Sequence, residues 1–295
     1  SIFGDGRYLN IVASEGGRVS HLTVRDVHTG HVVRDVSIDP AAAVESFKDF
    51  RLTGYAGRNL IGTRLAKINV PFLSLDVMSG NQLWEHTLTA QTGFWISAGR
   101  HLAVGLDIAG QLKVCDTRTG ELIVDEAVPA TGRLQSMAVH ETDFGFVLFA
   151  DTRLQRLQQS MPNVHHAWQA QLVRGTAYGV DCRAGKVLWS TELPDQYVSL
   201  PQPRDLPFVL LNSQRSNGAA RTQESKTDFP LDVLDTRTGQ TIASLDEQTS
   251  FNDFRPTVDL DRREITIRLG ERRSAVISYG DPGESEPATK KEGTE

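Results

Sequence analysis

The stretch LKVCDTRTGELIVDEAV, residues 112–128, reads as a strand, a tight turn and a second strand. Nearly the same phrase occurs four more times: LTVRDVHTGHVVRDVSI (22–38), LSLDVMSGNQLWEHTL (73–88), YGVDCRAGKVLWSTEL (178–193) and DVLDTRTGQTIASLDE (232–247). Each centres on Asp-x-x-(Thr/Ser/Ala)-Gly, at Asp26 and Gly30, Asp76 and Gly80, Asp116 and Gly120, Asp181 and Gly185, and Asp235 and Gly239. An Asp at a strand end can accept hydrogen bonds from turn amides, and Gly supplies the positive φ that closes a type I turn with a bulge. Recurrence once per repeat makes these residues structural turns, not a metal or carboxylate centre. Before the turn, Leu22, Phe72, Leu112, Ala177 and Leu231 share one position, while Arg25, Leu75, Cys115, Val180 and Leu234 share another on the opposite pleat. Apolar residues on both pleats describe strands covered on both faces. After the turn Val33, Leu83, Ile123, Leu188 and Ile242 align, followed by Arg34, Trp84, Val124, Trp189 and Ala243.

A second element precedes each hairpin: GRYLNIV (6–12), GRNLIGT (57–63), GRHLAVG (99–105), TDFGFVL (142–148), RDLPFVL (204–210) and RREITIR (262–268), aligned at Leu9, Leu60, Leu102, Phe144, Leu206 and Ile265. The hairpin glycines lie 50, 40, 65 and 54 residues apart. The extra length sits inside copies four and five, between these two strands, leaving a period in the propeller-blade range of about 40–50 residues. A further strand fits before each copy, at 46–52, 93–99, 134–140, 197–203 and 254–260. The result is four strands per repeat, labelled A to D. One such sheet cannot bury both faces alone, whereas sheets packed in a ring can. The expected fold is therefore all-β, a β-propeller of four-stranded antiparallel blades with six repeats visible over residues 1–280. The sixth copy has A, B and C strands. DPGESEPATKKEGTE (281–295) reads as a disordered charged tail, and Ser1–Asp5 as a clipped A strand.

The 31 basic and 37 acidic residues give a net charge of −6, which argues against nonspecific nucleic-acid binding. No apolar run reaches the roughly 18 residues of a transmembrane helix. The chain begins with Ser1 and no signal-peptide pattern follows, so it reads as a processed chain or a piece of a longer one. Two cysteines make no disulfide framework. The sequence has no G-x-S-x-G elbow, phosphate loop or dinucleotide fingerprint. His28 and His31 flank a turn without metal-ligand spacing.

The phrases YGVDCRAGKVLWSTEL and LSLDVMSGNQLWEHTL resemble the PQQ-like (quinoprotein-type, WD40-like) propeller repeat, apolar–x–apolar–Asp–x–x–Thr–Gly–x–x–apolar–Trp. The resemblance implies either a quinone-dependent dehydrogenase or a noncatalytic scaffold propeller, such as the lipoprotein of the β-barrel assembly machinery. It also implies a ring that can reach seven or eight blades. Only Trp84 and Trp189 occupy the Trp position, so the outer girdle reads as partial. Cys115 and Cys182 are far apart, unlike the adjacent pair of many quinoprotein alcohol dehydrogenases. No calcium-ligand set beside a quinone is assignable. These departures favour a noncatalytic protein-interaction module with no cofactor, and the resemblance places it in the periplasm or cell envelope. The alternatives are a PQQ-dependent dehydrogenase and a structural spacer.

Both insertions are B–C loops and should project from one face. The first, 151–175, carries Arg153, Arg156 and Arg174 with an aromatic cluster of His165, His166 and Trp168, suited to a protein partner or an anionic glycan. The second, 212–228, is polar. The opposing reading is two solvated excursions.

Overall fold

The computed structural model describes residues 2–4, 6–15, 18–37, 50–64, 69–89, 91–97, 99–152, 169–200, 202, 204, 206–213, 231–245, 254–269 and 274–279. Every regular element among them is a strand. Blade 1 comprises β1 (Ile2–Gly4), β2 (Tyr8–Glu15), β3 (Arg18–Asp26) and β4 (Val32–Ser37). Blade 2 comprises β5 (Phe50–Ala56), β6 (Asn59–Arg64), β7 (Asn69–Asp76) and β8 (Gln82–Thr89). Blade 3 comprises β9 (Thr92–Ser97), β10 (Leu102–Asp107), β11 (Gln111–Asp116) and β12 (Leu122–Ala127). Blade 4 begins with β13 (Ser136–Glu141), β14 (Gly145–Asp151) and β15 (Gln169–Asp181), and ends in β16 (Lys186–Leu200). Blade 5 continues with β17 (Phe208–Ser213), β18 (Leu231–Asp235) and β19 (Thr241–Leu245), and blade 6 has β20 (Phe254–Asp259), β21 (Glu264–Leu269) and β22 (Ser274–Ser278). Within each blade, sequential strands pair antiparallel. The fold is an all-β propeller of up-and-down sheets.

The blades are joined by five apolar seams. Val12, Leu22 and Val24 of blade 1 pack on Phe50, Leu60 and Leu73 of blade 2. Ile61, Phe72 and Trp84 meet Ala103 and Cys115 of blade 3. Val104, Leu112 and Val114 meet Phe146, Tyr178 and Val180 of blade 4. Phe149 and Ala177 meet Val209 and Leu234 of blade 5, and Phe208 and Val233 meet Ile265 and Ile267 of blade 6. Alternate residues of one strand thus serve different seams, Leu60 facing backward and Ile61 forward. This is why both pleats are apolar. Each fully buried Leu or Phe contributes about 1.5–3 kcal/mol. The A strands β5, β9 and β13 lie side by side and form the inner edges of their blades.

Several details differ from the sequence reading. The B strands are best aligned by the residue opposite the turn Asp: Tyr8, Asn59, Leu102, Gly145 and Phe208. The equivalent of Leu9 and Leu60 is therefore Ala103, Phe146 and Val209, not Leu102, Phe144 and Leu206. The A–B turn accounts for part of the slip, since Asn59 pairs with Ala56 but Leu102 pairs with Ser97. The 151–175 insertion is not loop throughout, because β15 already begins at Gln169 and pairs with the far end of β16. The separate fifth A strand is absent as such. β16 runs unbroken from blade 4 into blade 5, where Gln196–Val198 pair with β17. The clipped first A strand is β1, pairing Ile2–Gly4 with Leu9–Ile11. Residues 281–295 lie outside the described residues.

A β-bulge recurs at one place in all five D strands. The register skips Val33, Leu83, Ile123, Leu188 and Ile242, the aliphatics that align in sequence. A bulge inserts a residue and re-aims the next one. The re-aimed residue in blade 2 is Trp84, whose indole N–H donates to Thr117 O of blade 3 at 3.0 Å. Trp189 donates to Thr236 O of blade 5 at 2.9 Å. Arg34 donates to Val77 O of blade 2 at 2.7 Å. All three acceptors are the residue after the turn Asp. The girdle is thus less broken than the Trp count implies, since Arg34 makes the bond that Trp makes elsewhere.

Substituting Trp84 or Trp189 by Phe, or Arg34 by Met, removes this bond while keeping most of the packing. Each is expected to lower unfolding stability by about 1–2 kcal/mol in urea titrations. Trp84→Ala, which also empties the seam, is expected to cost about 3–5 kcal/mol.

Candidate functional site

The five Asp–Gly turns form one continuous face. In each, the Asp Oδ1 accepts the amides that follow: His28 and Thr29 at Asp26, Ser79 at Asp76, Arg118 and Thr119 at Asp116, Arg183 and Ala184 at Asp181, Arg237 and Thr238 at Asp235. Gly30, Gly80, Gly120, Gly185 and Gly239 have φ of 66 to 77°. At Gly120 and Gly239 the neighbouring indoles of Trp84 and Trp189 also occupy the space a Cβ would need. Each turn is bonded to the A–B turn of its own blade, as in Val77 N to Arg58 O and Thr117 N to His101 O. The seam bonds of Arg34, Trp84 and Trp189 then link turn to turn at three of the seams.

This face carries exposed arginines on blades 2, 3 and 5. Arg58, Arg118, Arg204 and Arg237 have side chains 56%, 62%, 53% and 59% exposed. Near the inner edge, Glu141 of blade 4 gathers groups from the two flanking blades: the Ser97 hydroxyl and the Arg100 guanidinium from blade 3, and Arg204 from blade 5. Farther out, Arg237 Nη2 pairs with Asp143 Oδ2 at 3.0 Å and lies over the Phe144 ring, and Arg183 donates to Asp143 O. Between blades 2 and 3 an open cleft of about 460 Å³ is lined by Arg58, Arg118, His101, Asn59 and Leu83.

The remaining titratable groups are turned to structure. Asp107 is fully buried at the other end of the blade 2–3 seam. Burial alone would raise its pKa, but amide bonds from Gln111, Thr89 and Ala109 and the Thr89 hydroxyl outweigh it and leave the carboxyl below its ordinary range. The Arg118 bond, partly offset by burial and joined by turn amides, lowers Asp116. Burial pushes the Cys115 thiol up to about 12 and Cys182 up to about 11, so both are protonated. Burial, then the charge of Arg204, brings His140 down to about 4 and keeps it neutral. Among the described residues no group of three or more His, Cys, Asp or Glu could hold a metal ion.

Of the residues singled out as a binding face, Arg153, Arg156, His165, His166 and Trp168 lie outside the described residues. Arg174 is exposed on β15, and its carbonyl accepts from Thr152 N and Oγ1. Trp95, off the repeat register in sequence, packs in the blade 3–4 seam 6.2 Å from Phe146. The arginines of the turn face were missed, although the signal was present. GRYL, GRNL and GRHL place an Arg in three A–B turns, and Arg118, Arg183 and Arg237 share one position in three C–D turns.

No family model matches the chain, and no curated protein matches it by sequence. Similar solved structures are β-propeller proteins. One is the dihydro-heme d1 dehydrogenase NirN in complex with DHE, at 15% identity and TM-score 0.43, covering 92% of this chain and 52% of that one. Another is hydrazine synthase of Kuenenia stuttgartiensis, at 16% identity and TM-score 0.43, covering 94% and 75%. A third is BamB from Moraxella catarrhalis, at 13% identity and TM-score 0.40, covering 90% and 81%. The chain thus spans about half the length of NirN. Among the described residues no helix is long and apolar enough to cross a membrane.

The carboxyls of Asp26, Asp107 and Asp116 are all lowered by folding. A lowered group stabilises the fold above its unfolded pKa, and that stabilisation is lost as pH falls through the folded value. Urea midpoints are therefore expected to hold above about pH 5 and to fall below about pH 4. Asp107→Asn is expected to lower the neutral plateau by roughly 2 kcal/mol and flatten the acid limb.

Proposed function

We propose that this chain is a noncatalytic binding module that recruits a protein partner, and that it works in the cell envelope. The observation that carries this reading is the exposure of arginines on the turn face. Arg58, Arg118, Arg204 and Arg237 each pair with a carboxylate of the chain, yet their side chains stay more than half exposed. A general base needs a free acceptor in reach of substrate. Asp76, Asp107 and Glu141, three enclosed candidates, are occupied by donors. Exposed Arg is by contrast enriched where proteins meet, since its fork pairs with carboxylates in a fixed geometry. Placement in the envelope follows from the repeat resemblance.

Two assays test the proposal. The immobilised chain is expected to retain a defined protein from extracts of its host, with retention falling at least about tenfold between 50 and 300 mM salt. An anionic glycan array is expected to stay blank; selective glycan capture without protein capture would assign the face to sugars. Incubation with PQQ and Ca²⁺, followed by dye-linked oxidation of alcohols and sugars, is expected to give no turnover. Stoichiometric quinone uptake with turnover would make the chain a dehydrogenase.

A further inference from the structure

The repeat permits a comparison between seams. Phe144 and Arg58 are equivalent, because each offers its carbonyl to the amide that follows the turn Asp, from Cys182 and Val77 respectively. Asp143 is therefore equivalent to Gly57. Arg237 and Arg118 are also equivalent, each lying two residues after the turn Asp of the next blade. In the blade 4–5 seam, Arg237 is neutralised by Asp143 at 3.0 Å and covers Phe144, its Cζ 5.1 Å from the ring centroid. That place is filled by the protein's own carboxylate.

In the blade 2–3 seam the same place is open. Gly57 stands where the acid would be, with φ +56° and no atom within 4 Å of the point a Cβ would occupy. Arg58 stands where the aromatic would be. Arg118, the counterpart of Arg237, and Arg58, in place of the ring, line the cleft of about 460 Å³ together with Asp76. Each holds an acid of its own blade: Arg58 Nε lies 3.0 Å from Asp76, and Arg118 is bidentate on Asp116. Among the described residues, nothing bonds Nη1 or Nη2 of Arg58 or Nη1 of Arg118, and the enclosed Nδ1 of His101 has no partner. Leu83, the bulged residue of β8, is 44% exposed and adds an apolar wall with Ala56.

We propose that this cleft binds a side-chain carboxylate from an acidic segment of a protein partner, held between Arg58 and Arg118 in the place that Asp143 fills beside Arg237. The inference rests on the protein-binding reading and names the chemistry of the partner. Planar guanidiniums favour a carboxylate because they can grip it through paired N–H bonds. The open, one-sided cleft with Leu83 at its edge suits a side chain presented by a peptide, whose aliphatic stem lies on that wall.

Binding of fluorescein-labelled octaglutamate to the full chain, followed by anisotropy at 50 mM salt, tests this. Arg58→Ala and Arg118→Ala are each expected to weaken binding at least about tenfold. Gly57→Asp, which supplies the missing carboxylate from within, is expected to do the same, and Asp tolerates a left-handed φ better than most residues. Arg262→Ala, on the turn opening blade 6, is expected to change binding less than about twofold. Melting midpoints of the variants distinguish lost binding from lost fold. Absence of saturable binding, indifference to Gly57→Asp in a folded variant, or an equal loss with Arg262→Ala overturns the proposal. Displacement by succinate or inorganic phosphate as effective as by unlabelled octaglutamate would make this a small-anion site and overturn the peptide assignment. If the Arg58→Ala, Arg118→Ala double variant still retains the host partner, the cleft is eliminated while the binding-module reading stands.

Discussion

The bond from a D-strand side chain to the carbonyl after the next blade's turn Asp organises this molecule. It determines how far one sheet can slide over its neighbour. Arg34, Trp84 and Trp189 all reach that carbonyl, from an identical place one residue past a bulge. Two residues on, His86 and Thr191 meet the oxygens of Gly120 and Gly239 at 2.8 and 3.0 Å. The turn is held rigid for this purpose. Its Asp satisfies the amides on the inside of the loop, leaving the following carbonyl free to accept from outside. Gly then lets the indole lie against the chain. Turn, bulge and donor side chain act together as one device.

Where the device is incomplete, the seam is closed by other means. Val124 cannot donate, so blades 3 and 4 are joined by Glu126 accepting from Val187 N, by Arg100 donating to Gly145 O, and by Tyr178 donating to Pro129 O. These bonds lie at both edges of the sheets, not only at the outer one. The blade 4–5 seam takes the opposite course, with its D strand continuing as β16 into the next blade's first strand. A chain that passes between sheets without a break leaves little freedom for them to rotate apart.

Strand order, turn positions and blade period were legible in the sequence because they depend on local chemistry repeated five times. The bulge was visible only as a puzzle: two adjacent apolar positions in a strand whose side chains should alternate. Arg34 was misread because residue type was compared, whereas the fold requires a donor at that position. The slips of Leu102, Phe144 and Leu206, by one, two and three residues, have a similar origin, since apolar residues on both pleats let a strand be aligned out of register without visible penalty. Continuity of β16 could not be read, because a turn that is absent leaves no residue signal. The Glu141 cluster was beyond reach for another reason. Ser97, Arg100, Glu141 and Arg204 come from three repeats and meet only because A strands and their turns converge on the inner edge.

A repeat architecture also makes departures informative in a way a unique fold does not. Each seam is a separate instance of one geometry, so a residue can be judged against its own counterparts at known distance and exposure. The C–D arginine is used on blade 4 to bond a backbone oxygen, on blade 5 to neutralise Asp143, and on blade 3 to grip its own turn Asp. On blade 3 the guanidinium shares a cleft with Gly57 of the neighbouring blade, where on blade 5 it meets Asp143. Gly57 has a left-handed φ of +56°, which glycine adopts without strain, and it contributes no side chain to any seam, whereas Asp143 fills the matching place two seams away. The turn face is built from residues that the fold requires at every blade, and its binding capacity resides where one blade withholds what another provides.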